Sequence, residues 1–433
     1  MNQRISRAGV FAGISTLSLA APLLGKYMAI PFVLITLGAA LITEGELFEL
    51  LARPGDHQAD RLFGLMSFGL AGTGLGIVTA SFGMPTSVFV ASMLIVGYGH
   101  FTSQVVRAWY SAEIVGITAF GIGGILGAIG GQVIIIYYTN TITFNEVATI
   151  TFIAISGTFL ASLLRAIFLE RDDPLILLVV GLLLWLLAEL PIVVSWTQLS
   201  IALLIIVPLG YIAFFLETAS IQGMVTGILL GFLTIILGGY SWFALLIAFF
   251  GIGGLSTKYR YEEKLERGVA EPQGGARGTG NVLGNSLTAL ISVLLFAAHE
   301  PLNVSPDLFM FAFAGSLATA LSDTLSSEIG GLYDNPHLIT TFESVDPGTD
   351  GAVTIQGEIG GIAGSLVIAL LALLLFDLQL IEGGYILLAG IIGMTTDSLF
   401  GALLEGEYLG NQSVNFLATV VGALMCAGMV FYL

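Results

Sequence analysis

Charged residues are scarce in this chain of 433 residues: Asp, Glu, Lys and Arg together make up 10% of it, whereas 56% is hydrophobic. A soluble domain carries roughly 25% charged residues, so the chain lacks the composition of a water-facing surface. Apolar runs of about 20 residues, the length that crosses a bilayer, recur from one end to the other. The sequence therefore predicts an all-α, polytopic bundle of transmembrane helices.

Cysteine and histidine are also rare. The single cysteine, Cys426, excludes an intrachain disulfide. His337 is the only histidine in the polar segments considered below, which argues against a zinc site or a Ser-His-Asp hydrolase. The net charge of −17 excludes nucleic acid as a partner. We interpret this acidity as adaptation to high salt, which predicts a halophilic, archaeal protein.

Basic residues are missing from the whole carboxy-terminal part, because no Lys or Arg follows Arg277. With the N-terminus in the cytoplasm, nearly every basic residue falls on the inner side and only Lys26 on the outer side, as the positive-inside rule requires. This distribution of basic residues follows when about fifteen predicted helices cross the membrane in turn. The predicted spans are 9–25, 27–43, 62–80, 87–106, 112–137, 147–165, 175–194, 199–216, 221–238, 241–257, 284–298, 308–331, 352–376, 384–403 and 413–432.

Four polar segments lie at the ends of the last five predicted helices. The first, GGARGTGNVLGNS (274–286), carries Arg277, Asn281 and Asn285. A glycine-rich backbone followed by a helix N-terminus suits a phosphate group. It is not a Walker A loop, because no Gly-Lys-Ser/Thr follows. The alternative is a flexible linker between two helices.

The second segment, SLATALSDTLSSEIGG (316–331), places Asp323 about two turns inside a helix and Glu328 near its end. A carboxylate at that depth is costly unless it meets a cation, a proton or water. Both acids are therefore functional candidates. The alternative is an acid that pairs with another helix for structural reasons.

The third segment is the loop HLITTFESVDPGTDGAVTIQGEIGG (337–361). Its Thr340, Thr341, Gly348 and Thr349 offer hydroxyls and backbone amides that can bind phosphate oxygens. The alternative is ordinary turn formation at the Pro-Gly step.

The fourth segment, GMTTDSLFGALLEGEYLGNQSVNFLAT (393–419), contains a further intramembrane acid, Asp397. Asn411 and Asn415 lie one turn apart where the last helix begins. The alternative is that this segment serves only helix packing and capping.

All four segments fall on the same, cytoplasmic side by the crossing count, which predicts one shared site. Carboxylates and hydroxyls suit Mg²⁺, which takes one or two acids and leaves its other positions to phosphates and water. Arg277 and its basic neighbours would neutralise the remaining phosphate charge. Phosphoryl transfer depends mainly on positioning and charge stabilisation, so these residue types are sufficient for it.

The segments RGTGNVLGNS, SDTLSSEIGG, LITTFESVDPGTDGAVTIQG and DSLFG…GNQSVNFLAT resemble, in order and spacing, the transmembrane protein 19 family (domain of unknown function 92). That family includes the plant phytyl-phosphate kinases, and the resemblance covers roughly residues 200–433. It implies a membrane kinase that converts an isoprenoid monophosphate, of geranylgeranyl or phytyl type, to its diphosphate. The co-substrate would be a nucleoside triphosphate, CTP or ATP, with Mg²⁺.

Carried over by position, the resemblance implies two groups of site residues. The acids that hold Mg²⁺ and carry catalysis would be Asp323, Glu328 and Asp397. Phosphate or nucleotide would be bound by Arg277, Asn281, Gly348, Thr349, Asn411 and Asn415. Two departures weaken the match: His337 stands where a basic residue is expected, and Ala352 replaces a glycine.

The resemblance divides the chain into residues 1–200, of unknown role, and a kinase-like region, 201–433. The stretch GYGHFTSQVVR (97–107) aligns with ALSDTLSSEIG (320–330) and puts His100 opposite Asp323, as in a decayed duplication.

A competing hypothesis is a secondary transporter coupled to protons or sodium through the three acids. The acids lean toward one face of the membrane, which favours an enzyme. The expected location is the cell membrane, with the active site facing the cytoplasm. The expected partners are the lipid bilayer and an isoprenoid phosphate.

Overall fold

The computed structural model describes residues 2–53, 55–139, 144–168, 173–271 and 273–432. The chain divides into two compact units, Met1–Ser200 and Ile201–Leu433. Across the described ranges the regular structure is helical apart from one two-stranded hairpin, which confirms the predicted all-α polytopic bundle.

The first unit is organised around one buried helix, α6, which packs against α1, α5, α7, α8 and α9. Short 3₁₀ turns join some of its helices, at Leu17–Ala20, Gly25–Tyr27 and Asp56–Gln58. The helices are α1 (Asn2–Thr16), α2 (Ala21–Leu24), α3 (Ile30–Leu41), α4 (Glu46–Leu51), α5 (Phe63–Phe82), α6 (Thr86–Arg107), α7 (Glu113–Thr139), α8 (Phe144–Ile167) and α9 (Asp173–Glu189).

The second unit has the same kind of centre. Its buried helix is α16, which packs against α12, α14, α17, α18 and α19. The elements from the unit boundary onward are α10 (Trp196–Phe215), α11 (Ile221–Leu237), α12 (Tyr240–Lys258), α13 (Tyr261–Glu266), a 3₁₀ turn (Gln273–Gly275), α14 (Thr279–Ala297), α15 (His299–Leu302), α16 (Pro306–Gly330), β1 (His337–Leu338), β2 (Ala352–Val353), α17 (Ile355–Phe376), α18 (Leu380–Leu404) and α19 (Asn411–Tyr432).

Twelve helices within the described residues are long and apolar enough to cross a membrane, fewer than the fifteen crossings predicted. The other three predicted crossings fall on shorter helices, α3 with 12 residues and α9 and α11 with 17 each. At 1.5 Å per residue, α3 is only about 18 Å long, too short for a hydrocarbon core of about 30 Å. The side of the membrane on which the N-terminus lies stays a prediction.

Glycines allow the helices around α16 to approach its backbone closely. A side chain at Gly364 of α17 would stand 2.9 Å from the Leu321 carbonyl, and one at Gly422 of α19 would stand 2.0 Å from the Thr319 hydroxyl. Small residues at such contacts are typical of helices that pack in lipid. The glycine content of the chain is therefore used to bring helices, and the polar groups they carry, into contact.

Polar helix ends gather at one end of the second unit. The start of α14 meets the start of α19, where Gly284 lies against the backbone of Gln412. The start of α17 meets the end of α16 through Gly357 and Gly330. The β1–β2 hairpin follows α16 and returns along α18, so that Gly351 packs directly on its last turns. The four polar segments of the sequence therefore share one end of the bundle.

Candidate functional site

The carboxyl groups of Asp323 in α16 and Asp397 in α18 lie close enough for a side-chain hydrogen bond to join them. Helix packing brings them together. Gly393, one turn before Asp397, lies against Thr319, one turn before Asp323, and a side chain at Gly393 would stand 2.1 Å from the Thr319 hydroxyl. Because residues four apart share a helix face, the same close approach aligns the two carboxyl groups.

The start of α19 adds two amides to this pair. In the amide orientation that satisfies both of its groups, Asn415 donates to Asp397 Oδ1 at 3.3 Å and to the Asn411 carbonyl at 3.0 Å. The Asn411 side chain hydrogen-bonds to Glu405, just beyond α18. Burial raises the pKa of the Glu405 carboxyl, the nearby Asp350 adds to the shift, and Asn411 opposes it.

The arrangement around Asp323 and Asp397 fits a divalent cation. Two ionised carboxylates in contact repel each other, so their approach requires a proton or a cation between them. Two carboxyl groups match what Mg²⁺ takes from proteins, with phosphate oxygens and water in its remaining positions. These residues could therefore hold Mg²⁺ together with a phosphate.

Glu328, the third predicted metal ligand, does not join the two aspartates. Its Oε2 accepts a hydrogen bond from Lys264 Nζ at 2.5 Å. Within the described ranges no group of three His, Cys, Asp or Glu side chains is arranged to hold a metal ion. In the structure Glu328 is thus the partner of Lys264 and not a third member of the aspartate pair.

Lys264 was not among the predicted site residues. It lies in the short helix α13, is 1% exposed, and donates to the carbonyls of Ser256 and Thr257 at 2.8 and 3.3 Å as well as to Glu328. A buried lysine is costly unless it is paired. The sequence carries no signal for its burial, because YEEKLE has the composition of an ordinary solvated helix.

Arg277 lies at the start of the glycine-rich segment and is buried. Its backbone is fixed to the loop before α11, since its amide donates to the Thr218 carbonyl at 3.1 Å and its carbonyl accepts from Ser220 at 3.1 Å. Its guanidinium lies 5.6 Å from the ring centroid of Phe249 and packs on Gly253. Nη1 of this guanidinium is buried without a hydrogen-bond partner in the described structure.

Asn281 and Asn285 stand one turn apart on α14. Their amide nitrogens are used, by Glu271 Oε1 at 3.3 Å and by the Asn281 carbonyl at 3.0 Å respectively. Both side-chain oxygens are buried and, among the described groups, have no donor. Buried polar atoms are nearly always hydrogen-bonded, and an exception calls for an ion, water or ligand. Three of the predicted phosphate-binding residues, these two and Arg277, show this signature.

Electrostatics connect these groups. Glu328 interacts electrostatically with Asp323, with Glu271 and with Arg277. Burial raises the pKa of Glu271, and Glu328 raises it further, while Arg277, Asn281 and Lys264 lower it. Burial lowers the pKa of Arg277, and the two glutamates oppose the shift. An arginine nevertheless stays charged, so a buried cation faces this site.

The predicted phosphate ligands of the hairpin lie apart from these buried groups. Thr340, Thr341, Gly348 and Thr349 are all exposed. The Thr349 hydroxyl donates to the Asp346 carbonyl at 2.7 Å, and the Thr341 hydroxyl accepts a backbone amide two residues on. These contacts shape the turn itself, which is the alternative considered for this segment. A phosphate role for these residues stays a prediction.

A cavity of about 300 Å³ lies between α10, α11 and α12. Its walls are almost entirely aliphatic, aromatic and glycine, and Arg277 is the one charged residue that lines it. This cavity was not among the features predicted from the sequence. The signal was present in GMVTGILLG, where Gly223, Gly227 and Gly231 recur at helical spacing on α11 and leave one of its faces without side chains.

Comparison with known proteins identifies relatives of this region. A protein family described as integral membrane protein DUF92 matches residues 204–423. An uncharacterized membrane protein of Methanocaldococcus jannaschii is 36% identical over 214 residues, which cover 49% of this chain and 84% of the relative. One from Synechocystis sp. is 35% identical over 198 residues, covering 44% and 74%. The chloroplastic protein VTE6 of Arabidopsis thaliana is 32% identical over 211 residues, covering 48% and 63%. No solved structure matches the chain.

Proposed function

Because the chain belongs to the DUF92 family of integral membrane proteins, we propose that its second unit is a kinase for an isoprenoid monophosphate. One observation carries the proposal: the touching carboxyl groups of Asp323 and Asp397 share one end of the bundle with three residues whose buried polar atoms lack partners. The sequence resemblance to phytyl-phosphate kinases supplies the reaction class.

In the proposed reaction, an oxygen of the acceptor phosphate attacks the γ-phosphorus of CTP or ATP. A new P–O bond forms, the bond from the γ-phosphorus to the bridging oxygen breaks, and the nucleoside diphosphate leaves. The acceptor needs no general base, because a phosphate monoester with a second pKa of about 6 is largely ionised near neutral pH. This explains how the site can work without a histidine or lysine base beside the aspartates.

The residues divide this work. Asp323 and Asp397 would hold Mg²⁺, which supplies charge neutralisation of the transferring phosphoryl group. Asn415 fixes the orientation of Asp397 through its amide. Asn281 and Asn285 present unpartnered oxygens, which accept hydrogen bonds from donors such as ribose hydroxyls or metal-bound water. Lys264 holds Glu328 so that this acid does not compete for the metal.

The test uses full-length protein purified in detergent, where no ion gradient exists and transport cannot operate. Geranylgeranyl monophosphate, MgCl₂ and either CTP or ATP are added, and diphosphate formation is followed by ³¹P NMR. We expect turnover that requires Mg²⁺ and falls at least about 100-fold in Asp323→Asn and Asp397→Asn, the size expected for loss of metal-borne charge stabilisation.

The matched control is His100→Asn, the same kind of substitution on the central helix of the first unit. We expect its turnover to stay within about threefold of the unchanged protein, since His100 pairs with Arg165 and not with the aspartates. Absence of turnover with either nucleotide, or undiminished turnover in both aspartate variants, would reject the kinase proposal.

A further inference from the structure

The cavity between α10, α11 and α12 is held open by glycines. At Gly227, Gly251 and Gly254, an added Cβ atom would meet nothing within 4 Å. All three line the cavity. Elsewhere in this unit glycines commonly serve close helix contacts, where an added Cβ would collide with a neighbour. These three glycines instead leave space beside the helices unfilled, as a binding cavity for an apolar chain requires.

The two ends of the cavity differ in chemistry. At one end lies the buried guanidinium of Arg277. The backbone of this residue is held by hydrogen bonds to Thr218 and Ser220. At the other end the walls close, since an added Cβ at Gly231 would stand 3.1 Å from Phe243 and 3.5 Å from Ile206. The cavity is therefore an apolar groove with one charged end, which matches a hydrophobic chain that carries an anionic head.

The groove also opens sideways. Ile212, Leu216 and Leu255 line it and are 51%, 65% and 72% exposed. They belong to α10, to the turn that follows it and to α12, two helices of membrane-spanning length and composition. A lipid-soluble substrate can therefore enter from the bilayer without passing through water.

We propose that this groove binds the isoprenoid tail of the acceptor and that Arg277 binds its monophosphate. The inference rests on the proposed function and assigns its substrate subsite. An unpartnered nitrogen on a buried arginine calls for an anion, and Arg277 is the charged group that lines an otherwise apolar groove. The acceptor phosphate then lies at Arg277, and Mg²⁺ with the nucleotide lies at the aspartates.

Groove length makes the proposal specific. Gly227 lies one turn from Gly223, near Arg277, and one turn from Gly231, at the closed end. A leucine at 227 has open space to enter, so it fills the groove instead of displacing a neighbour. Gly227→Leu should therefore exclude a long chain while leaving room for a short one next to Arg277.

The experiment measures binding without any nucleotide, on full-length protein in nanodiscs. The probes are geranylgeranyl monophosphate, with a 20-carbon chain, and geranyl monophosphate, with 10 carbons. In Gly227→Leu we expect the Kd of the long probe to rise at least about tenfold, since excluding even two methylene groups has that effect. The Kd of the short probe should change less than about twofold, and Arg277→Gln should weaken both.

Gly384→Leu is the matched control, because this glycine of α18 also has nothing within 4 Å and does not line the groove. It should bind both probes like the unchanged protein. Gly254→Leu is a second groove variant in case the first does not fold, as judged by size-exclusion chromatography. An unchanged Kd of the long probe in a folded groove variant would overturn the proposal. An equal rise in the Kd of both probes would also overturn it. So would binding of dioleoyl phosphatidic acid as tight as that of geranylgeranyl monophosphate.

The two proposals fail in different ways. If the chain-length response appears in binding but no nucleotide supports turnover, the groove assignment stands and the kinase proposal falls. If turnover appears but Gly227→Leu leaves the choice between long and short acceptors unchanged, the kinase proposal stands and the groove assignment falls.

Discussion

The central helices of the two units, α6 and α16, occupy equivalent places but carry opposite chemistry. Each is deeply buried, and each packs against the three helices that follow it in the chain. On α16 the polar group at the working end is Asp323, which meets Asp397. On α6 it is His100, which meets Arg165. This similarity of packing supports the hypothesis of a decayed duplication, which aligns His100 with Asp323.

The polar cluster of the first unit is closed upon itself. Asp173 uses both carboxylate oxygens, one for Arg165 and the other for Arg53 at 2.8 Å. Arg53 also lies over the ring of Phe11, with 4.9 Å from its guanidinium carbon to the ring centroid. Each of these groups is engaged by another side chain of the same unit. Such a network specifies structure and offers nothing to a ligand.

The cluster of the second unit is open in comparison. Arg277, Asn281 and Asn285 each keep a buried polar atom without a partner in the described structure, and two carboxyl groups face each other. The difference teaches that burial of polar groups does not by itself mark a site. What marks it is incomplete satisfaction, which a ligand can complete.

The largest effect is expected when the closed cluster of the first unit loses the carboxylate that its two arginines share. Asp173→Asn removes the carboxylate that Arg53 and Arg165 both contact, at side chains that are 4%, 7% and 14% exposed. We expect a loss of about 3 kcal/mol in the free energy of unfolding, because one partner of a buried ion pair has been removed. Thermal unfolding in detergent measures this loss.

The activity of the Asp173→Asn protein that stays folded is the second readout. It should match that of the unchanged protein, since the cluster belongs to structure. A stable variant, or a folded variant with lost turnover, would contradict the assignment of this cluster to structure alone.

A smaller effect is expected at an open position. Asn285→Leu replaces a side chain whose oxygen has no partner by an apolar one of similar size. The substitution gives up the hydrogen bond from the Asn285 amide to the Asn281 carbonyl, but it also removes a buried oxygen without a partner, and these two effects oppose each other. Without ligand, we expect the free energy of unfolding to stay within about 1 kcal/mol of the unchanged protein or to rise.

The ligand reverses this result. If Mg²⁺ with nucleotide binds at Asn285, it stabilises the unchanged protein by about 2.7 kcal/mol at 100 times its Kd, and the leucine variant should lose most of that gain. Melting curves with and without nucleotide show both effects. A strong destabilisation of the ligand-free variant would mean that Asn285 is a structural residue.

Sequence patterns predicted what depends on local composition. The apolar runs predicted the helices, and the depth of Asp323 and Asp397 marked each of them as a functional candidate, together with Glu328. In the structure, Gly393, one turn before Asp397, allows the close approach to α16 that brings the two aspartates together. The structure has twelve helices of membrane-spanning length within its described residues against about fifteen predicted, because a run of apolar residues does not show where a helix starts and stops, as α3 illustrates. Orientation and adaptation to high salt stay predictions.

Contacts between residues far apart in the chain could not be predicted from sequence patterns. Glu328 is held by Lys264, a residue 64 positions away that has the pattern of a solvated helix. The threonines of the hairpin looked like phosphate ligands because Gly, Thr and Asp occur equally in turns and in phosphate loops. The groove depends on three helices, and only their packing shows that Gly227, Gly251 and Gly254 face one empty space.

The smallest expected effect is a pH-dependent change in stability caused by Glu271, which lies in the open cluster of the second unit. Burial and Glu328 raise the pKa of Glu271 above its ordinary value near 4.5. A carboxyl with a raised pKa in the folded state contributes stability that is complete below the unfolded pKa and is lost as pH rises through the folded one. The unchanged protein should therefore lose stability relative to Glu271→Gln over that interval, and the difference should level off above it. Unfolding curves of both proteins from pH 4 upward measure this difference. A stability difference that stays constant with pH, or an unchanged protein that gains stability relative to Glu271→Gln as pH rises, would show that Glu271 is not a buried acid of the open cluster.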